Sequence, residues 1–78
     1  MRVSIIPEDG SVVKDGVGYL ALDLSFIDPA IHAIQWYGTE GEIEWQDERG
    51  LIVQNEPITS IAPFQAALDA WQAAHDSA

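Results

Sequence analysis

Apolar and polar side chains alternate along residues 31–54, on two arms separated by a loop, residues 38–41, that begins and ends in glycine. A hairpin closed by this loop pairs Tyr37 with Glu42 and Ile34 with Trp45. Because side chains alternate across a strand, this register sorts apolar and polar residues onto separate faces. The apolar face carries Ile34, Trp36, Ile43 and Trp45, and the polar face carries Gln35, Tyr37, Glu42 and Glu44. The pattern therefore predicts a β-hairpin.

A third arm is predicted after the turn at residues 47–50. Ile52 is expected to join the tryptophan face beside Trp45, which leaves Leu51 and Val53 on the polar side. Residues 55–57 (NEP) then predict the end of the sheet, because proline interrupts a hydrogen-bonded ladder.

Short apolar segments and turn residues alternate in the first 27 residues and predict a three-stranded meander. Residues 7–10 (PEDG) form the first turn, and residues 15–16 (DG) close a two-residue type I′ hairpin. The resulting face carries Ile5, Val12 and Tyr19. Residues 20–26 either prolong the third strand or run extended under the core, and residues 28–29 (DP) predict about one helical turn.

The C-terminal segment is rich in alanine and predicts an amphipathic helix. Thr59 and Ser60 are candidate N-caps, and Pro63 is tolerated because backbone donors in the first turn have no partner within the helix. The apolar stripe consists of Phe64, Ala67, Leu68, Trp71 and Ala74. Because a short helix is marginal alone, we expect it to dock on the face that holds Trp36 and Trp45.

These elements predict one α+β domain, a small antiparallel sheet of two meanders with about five to six strands and one C-terminal helix packed on it. Its parts are an N-terminal meander (1–27), a hairpin region (31–54) and the C-terminal helix (60–76) of a single domain, 1–78. A chain of this length buries one modest core, which we expect to be too small to leave a ligand pocket. Without cysteine it has no disulfide or thiolate metal site. We therefore expect a partner or a homo-oligomer to add stability.

Acidic residues dominate the charge, since 13 Asp and Glu against 3 Lys and Arg give a net charge of −10. Such a surface repels phosphates and anionic headgroups, so we expect no direct nucleic-acid or membrane binding, and any charged partner should be basic. No apolar run approaches the ~20 residues of a membrane helix, and the N-terminus lacks the apolar region of a signal peptide. These features predict a protein of the cytosol.

Candidate chemical sites are few. Acidic residues crowd the loop and turn around the second arm of the hairpin: Glu40, Glu42, Glu44, Asp47 and Glu48. They could hold calcium, but they lack EF-hand spacing and equally form a solvated face, which we favour. His32 and His75 have no recognisable third ligand or nucleophile, and no serine lies in a nucleophile elbow. We therefore predict no catalytic, cofactor-binding or metal-binding residue, and no enzyme.

The aromatic residues indicate binding instead. The tryptophans can form the core, whereas Tyr37, Leu51 and Val53 remain on the other face of the hairpin. Tyrosine is favoured at protein interfaces because it joins a large apolar ring to a polar hydroxyl. We therefore predict a partner-binding surface of Tyr37, Leu51 and Val53 with an acidic rim of Glu42 and Glu44.

Three blocks of sequence together cover most of the chain: residues 3–10 (VSIIPEDG), 32–44 (HAIQWYGTEGEIE) and 55–71 (NEPITSIAPFQAALDAW). They resemble a family of small proteins encoded in the tail or tail-fibre modules of tailed bacteriophages and prophages of Gram-negative bacteria. The resemblance implies a protein-interaction module, a tail-fibre assembly chaperone or minor tail component, whose partner is a phage tail or tail-fibre protein. It also implies a location in the host cytoplasm, with incorporation in the virion tail as a further option.

Two alternatives to this function remain at the level of sequence. The net charge favours an acidic inhibitor that imitates nucleic acid and binds a basic host protein. Against it, the acidic residues are scattered through turns and do not line one helix face. A host-derived regulatory domain carried by a prophage is the third alternative.

Overall fold

One antiparallel sheet of six strands forms the body of the protein, whose computed structural model describes residues 1–78. The strands are β1 (Val3–Ile6), β2 (Ser11–Lys14), β3 (Val17–Tyr19), β4 (Ile31–Trp36), β5 (Gly41–Gln46) and β6 (Ile52–Ile58). Their order in the sheet is β3-β2-β1-β4-β5-β6, so two meanders join where β1 pairs with β4. A 3₁₀ turn (Ala62–Phe64) leads into the single helix α1 (Gln65–Asp76). The predicted α+β class is confirmed.

The N-terminal meander has the predicted register. Ile5 opposes Val12, and Val12 opposes Tyr19. Between β2 and β3, Asp15 and Gly16 take positive φ angles of 51° and 85°. Aspartate tolerates this conformation and glycine adopts it freely, so the local sequence dictates the type I′ turn.

The core is centred on β1, which has neighbouring strands on both sides. Ile5 lies between Val12 of β2 and Ile34 of β4, and all three side chains are fully buried, as is Val3. Burying one such side chain stabilises the fold by about 1.5–3 kcal/mol. These contacts join the two meanders into one sheet.

The second hairpin keeps the predicted faces but not the predicted register. Trp36 opposes Gly41 instead of Ile43, and Ile34 opposes Ile43 instead of Trp45. Because the pairing moves by an even number of residues, each side chain stays on its predicted face.

Gly41 accounts for the change of register. A Cβ at this position would lie 3.0 Å from Trp36 Cα and would overlap the carbonyl oxygen of Gln35. Glycine therefore fits across from Trp36 where other residues would not. The loop moves to residues 37–40, where Tyr37 N–H donates a hydrogen bond of 2.8 Å to the Glu40 carbonyl.

The last strand differs from the prediction in two respects. It does not end before residues 55–57 but continues through Pro57 to Ile58, paired with β5. A bulge near its start places Ile52 opposite Gln46, so the prediction that Ile52 joins the tryptophan face beside Trp45 is wrong. An extra residue in one strand re-aims the side chains that precede it, and apolar spacing alone does not reveal it.

Residues 20–30 connect β3 to β4 without forming a helix or strand. Leu24 and Ile27 are buried, whereas Leu20 and Phe26 are exposed. Of the two predicted alternatives, this segment therefore runs under the core and does not prolong β3.

The helical turn predicted at residues 28–29 does not form. The Asp28 carboxylate accepts a hydrogen bond from Ala30 N–H, and the backbone carbonyl of Asp28 accepts one from Ile31 N–H. This is a turn closed by the aspartate side chain, which competes with helix formation at such positions.

Most of the predicted stripe is buried, namely Phe64, Ala67, Leu68 and Trp71, whereas Ala74 is half buried. The main contacts of the helix are with β2 and β3, so it lies beside the second hairpin and not over it. Trp36 nevertheless belongs to the same buried cluster as the helix residues, and Trp45 packs at the margin of that cluster. Trp71 Nε1 donates a hydrogen bond of 2.8 Å to the Val17 carbonyl, and the Lys14 ammonium lies 4.8 Å from the centre of a Trp71 ring. These directed contacts hold the helix over the N-terminal meander.

Candidate interaction site

Three consecutive apolar residues are exposed where β6 begins. Leu51, Ile52 and Val53 have 55%, 47% and 62% of their surface accessible to solvent. Consecutive residues of a regular strand point to opposite faces, but the bulge interrupts that alternation here. Isolated apolar residues on a surface are ordinary, whereas a contiguous group is typical of an interaction surface. We call these three residues the apolar patch.

Backbone groups of β6 face away from the sheet at alternate residues. Tyr37 N–H donates a hydrogen bond to the Glu40 carbonyl at the end of the β4–β5 hairpin. Hydrogen-bonded pairs alternate along an antiparallel ladder, so the next such pair is Gln35 with Glu42. The backbone groups of Glu42 therefore point towards β4. Pro57 opposes Glu42 and therefore faces outward, where its missing N–H costs the ladder nothing. Asn55 has the same orientation and presents its N–H and C=O to solvent.

Asn55 is bounded by the bulge on one side and by Pro57 on the other. Bulges and prolines are devices that protect sheet edges from pairing with additional strands. Side chains, and not backbone groups, are therefore what this edge offers to a partner.

The turn between β5 and β6 holds the apolar patch in place. The Asp47 carboxylate accepts hydrogen bonds from the backbone N–H of Arg49 and of Leu51, at 2.9 and 3.1 Å. Asp47 N–H in turn donates to the Leu51 carbonyl at 2.9 Å, and Gly50 takes the positive φ of 82° that closes the turn. Leu51 is thus fixed by bonds to both the backbone and the side chain of Asp47.

Charge also stabilises this turn. The Arg49 guanidinium pairs with the Asp47 carboxylate at 2.9 Å. This contact, followed in importance by the hydrogen bond from Leu51 N–H, lowers the pKa of Asp47 from its ordinary value of 3.8. The charged form of Asp47 is therefore the one that the turn favours.

An open groove of about 840 Å³ is lined by residues of the same turn, 46–50. Leu24, Ile27 and Ile31 lie at its base with 4–6% of their surface exposed, and Pro7 and Pro29 also line it. Its polar wall comes from the turn and from the segment after β1, and includes Glu8, Gln46, Asp47, Glu48 and Arg49. The volume falls within the ~300–1,000 Å³ of ligand-binding clefts.

The walls of the groove are held by local hydrogen bonds. Gln46 Nε2 donates to the Pro29 carbonyl at 3.3 Å, and Gln46 N donates to the Ala30 carbonyl at 2.9 Å. On the opposite wall, the Ser25 hydroxyl donates to Asp23 at 2.6 Å. This bond and the one from Ser25 N–H lower the pKa of Asp23. The groove is therefore present in the folded chain without a ligand to shape it.

The structure separates the residues of the predicted binding surface into two groups. Tyr37 is half exposed, lies in the loop between β4 and β5, and donates a hydrogen bond of 3.5 Å to Glu42. Leu51 and Val53 lie beyond the other end of β5, roughly 17 Å away for a strand of 6 residues. Glu44 lies between the two groups on the sheet face shared with Glu42. Tyr37 therefore does not touch Leu51 or Val53, and the two groups lie at opposite ends of the predicted surface.

Tyr37 is engaged within the protein. The Arg2 guanidinium lies 4.5 Å from the centre of its ring and donates hydrogen bonds to the Val3 carbonyl and to the Gln35 side chain, at 2.9 and 3.1 Å. This network fastens the N-terminus to β4. Tyr37 therefore has a structural role, and the binding role remains a prediction.

The two histidines lie in different environments. His32 is half buried at the irregularity between Ile31 and Ala33. His75 stacks on Trp71 with ring centres 4.7 Å apart and shares a hydrogen bond of 3.0 Å with the Tyr19 hydroxyl. No group of three or more His, Cys, Asp or Glu side chains is arranged to hold a metal ion.

The groove contradicts our expectation from the sequence that so small a core leaves no ligand pocket. Its residues come from segments far apart in the chain, such as Glu8, Leu24 and Glu48, and no spacing in the sequence connects them. The exposure of Leu51 and Val53, by contrast, was predicted from their position on the polar side of the third arm.

Comparison with known proteins gives no relative for this chain. No protein-family model, no curated protein and no solved structure matches it. None of its helices has the length and apolar character needed to cross a membrane.

Proposed function

We propose that this protein is a protein-interaction module of a tailed bacteriophage and acts in tail-fibre assembly, as a chaperone or as a minor tail component. The observation that carries the interaction role is the apolar patch, Leu51 to Val53, exposed on a turn that internal hydrogen bonds hold in place. The phage setting comes from the resemblance of residues 32–44 and the flanking blocks to small tail-module proteins. Its partner is a tail or tail-fibre protein.

A preformed patch suits this role, because little conformational entropy is lost when a partner covers it. The bulge and Pro57 at the edge strand β6 also suit this role. An assembly factor that exposes apolar side chains must avoid pairing through its backbone with unfinished strands of other proteins, and the bulge and Pro57 prevent this on β6.

Co-expression with the neighbouring tail-fibre protein tests the proposal. We expect fibres to be insoluble or unassembled without this protein, soluble with it, and impaired again with the double variant Leu51→Ser and Val53→Ser. Leu20→Ser is the matched control, because it also removes an exposed aliphatic side chain, 72% accessible to solvent, but lies after β3 and away from the patch. Fibres that assemble equally well without the protein, in particles that lack it, would contradict the proposal.

Mass spectrometry of purified particles then distinguishes the two forms of the role. A chaperone acts in the host cytoplasm and is absent from finished tails. A minor tail component is present in them at a fixed ratio to the fibre.

The acidic inhibitor is the second candidate, and one observation favours it. Against a net charge of −10, the structure has a single ion pair, between Arg49 and Asp47. A pull-down from host lysate discriminates, since an inhibitor of this kind retains a nucleic-acid enzyme and releases it at moderate salt. Retention of a tail or tail-fibre protein instead favours the assembly role, and apolar contacts to the patch are not screened by salt.

A further inference from the structure

We propose that the groove beside the apolar patch receives an arginine or lysine side chain from the partner, while an apolar neighbour of that residue packs on Leu51 to Val53. This inference rests on the proposed function and states the chemistry of the partner segment. The two surfaces share the turn at residues 47–50, so one short extended segment can contact both.

The lining of the groove selects a long basic side chain. Pro7 and Pro29 line the groove, and the methylene stem of arginine or lysine can pack against their rings. The buried Leu24, Ile27 and Ile31 add only the 4–6% of their surface that remains exposed. Glu8 and Glu48 provide carboxylates at the wall, where the charged group emerges. An acidic side chain would repel these carboxylates. A purely apolar side chain would displace their water without providing a hydrogen-bond donor.

Arg49 does not neutralise the whole groove. It is the one cation in the lining, and its guanidinium is paired with Asp47. Neither Glu8 nor Glu48 forms an ion pair. The groove thus keeps a negative charge that a partner can match.

A second copy of the chain does not supply the basic residue. The chain has 3 Lys and Arg in total. Arg2 is committed to Tyr37 and Gln35, Lys14 to Trp71, and Arg49 to Asp47. Self-association would also bring together two chains that each carry a net charge of −10. The occupant is therefore a different protein with an exposed basic and apolar segment.

Peptide binding measured by nuclear magnetic resonance tests this inference. The probe is a capped pentapeptide with arginine at its centre, valine on both sides and threonine at both ends, titrated into the isotopically labelled full chain. The matched control peptide carries citrulline, which has nearly the same shape as arginine but no charge. We expect the arginine peptide to shift the backbone amides of Glu8, Leu24, Glu48 and residues 51–53. The citrulline peptide should bind about tenfold more weakly.

Protein variants locate the charge effect. The double variant Glu8→Gln and Glu48→Gln should weaken the arginine peptide about tenfold, while Glu40→Gln, an exposed acid at the other end of β5, should leave it unchanged. Equal binding of the two peptides, an equal effect of Glu40→Gln, or no binding at millimolar peptide would each overturn the inference.

The outcomes separate this inference from the proposed function. If the peptide fails to bind but fibre assembly still depends on the apolar patch, the groove is not the site of a basic side chain and the function stands. If the peptide binds as expected but fibres assemble without the protein, the groove is confirmed as a basic-segment site and the phage-assembly role fails.

Discussion

Gly41 shows how one residue determines a register. The predicted loop included it, but the structure places it inside β5, directly across from Trp36. Its missing Cβ leaves the space that the Trp36 backbone and ring occupy. Glycine in a strand often marks such a close approach, although it also marks turns, and residue type alone does not separate the two.

Gly41→Ala should destabilise the protein by about 1–3 kcal/mol, because the new Cβ meets backbone atoms that cannot rotate away. Gly18→Ala is the control, since its Cβ would lie 3.1 Å from the Val13 Cγ2 methyl, a side-chain atom that can adjust. Its effect should be within about 0.5 kcal/mol. Urea denaturation measures both, and similar losses for the two variants would contradict this account of the register.

Arg49→Ala should raise the pKa of Asp47 towards its ordinary value of 3.8, because it removes the largest cause of the lowered value. A carboxylate with a lowered pKa stabilises the fold above pH 3.8, and this contribution is lost as the pH falls through the folded-state value. The variant should therefore lose less stability on acidification. Carboxyl chemical shifts followed against pH measure the change, and Arg2→Ala, which does not touch Asp47, should leave that pKa unaltered.

At the scale of elements, β6 combines an open edge with features that limit its use. The bulge exposes the apolar patch, and Pro57 removes a donor from the outward row without cost to the pairing with β5. The orientation of the backbone along this strand follows from the hydrogen bond between Tyr37 and Glu40, two strands away. Because the backbone amides of β6 point alternately towards β5 and towards solvent, proline should have different effects at Gln54 and at Asn55.

Asn55→Pro should leave the ladder between β5 and β6 intact, because the amide at this position faces solvent. Gln54→Pro should cost about 1–3 kcal/mol, because Gln54 opposes Trp45 and its amide faces β5. Thermal unfolding of the two variants, each compared with alanine at the same position, measures the difference. The reverse ranking would show that the inward and outward rows have been assigned the wrong way round.

At the scale of the whole molecule, charge opposes folding. The 3 basic residues are distributed over the N-terminus, β2 and the turn after β5, and each is held by contacts described above. The acidic residues have one ion-pair partner among them. Mutual repulsion of so many carboxylates destabilises a compact chain with a small core.

Raising sodium chloride from about 20 mM to about 500 mM should therefore increase the unfolding temperature by roughly 4–8 °C, which corresponds to about 1 kcal/mol of relieved repulsion. Calcium chloride at equal ionic strength is the control for the acidic face. An equal increase is expected from a solvated face, whereas a larger increase from calcium would show that some of these carboxylates bind the ion.

Features encoded in consecutive residues could be read from the sequence. They include the Asp15-Gly16 turn, the register of the first meander, the faces of the second hairpin and the helical stripe ending in Trp71. Each depends on the periodicity of apolar residues or on the φ preference of one residue, and both are determined by residues close together in the chain. Other features are compatible with more than one local arrangement and were decided by tertiary packing. They are the loop at residues 37–40, the bulge that exposes the apolar patch, the position of the helix over β2 and β3, and the groove lined by Glu8 and Glu48. These depend on packing between residues distant in the chain, and no local pattern records which distant partner will be there.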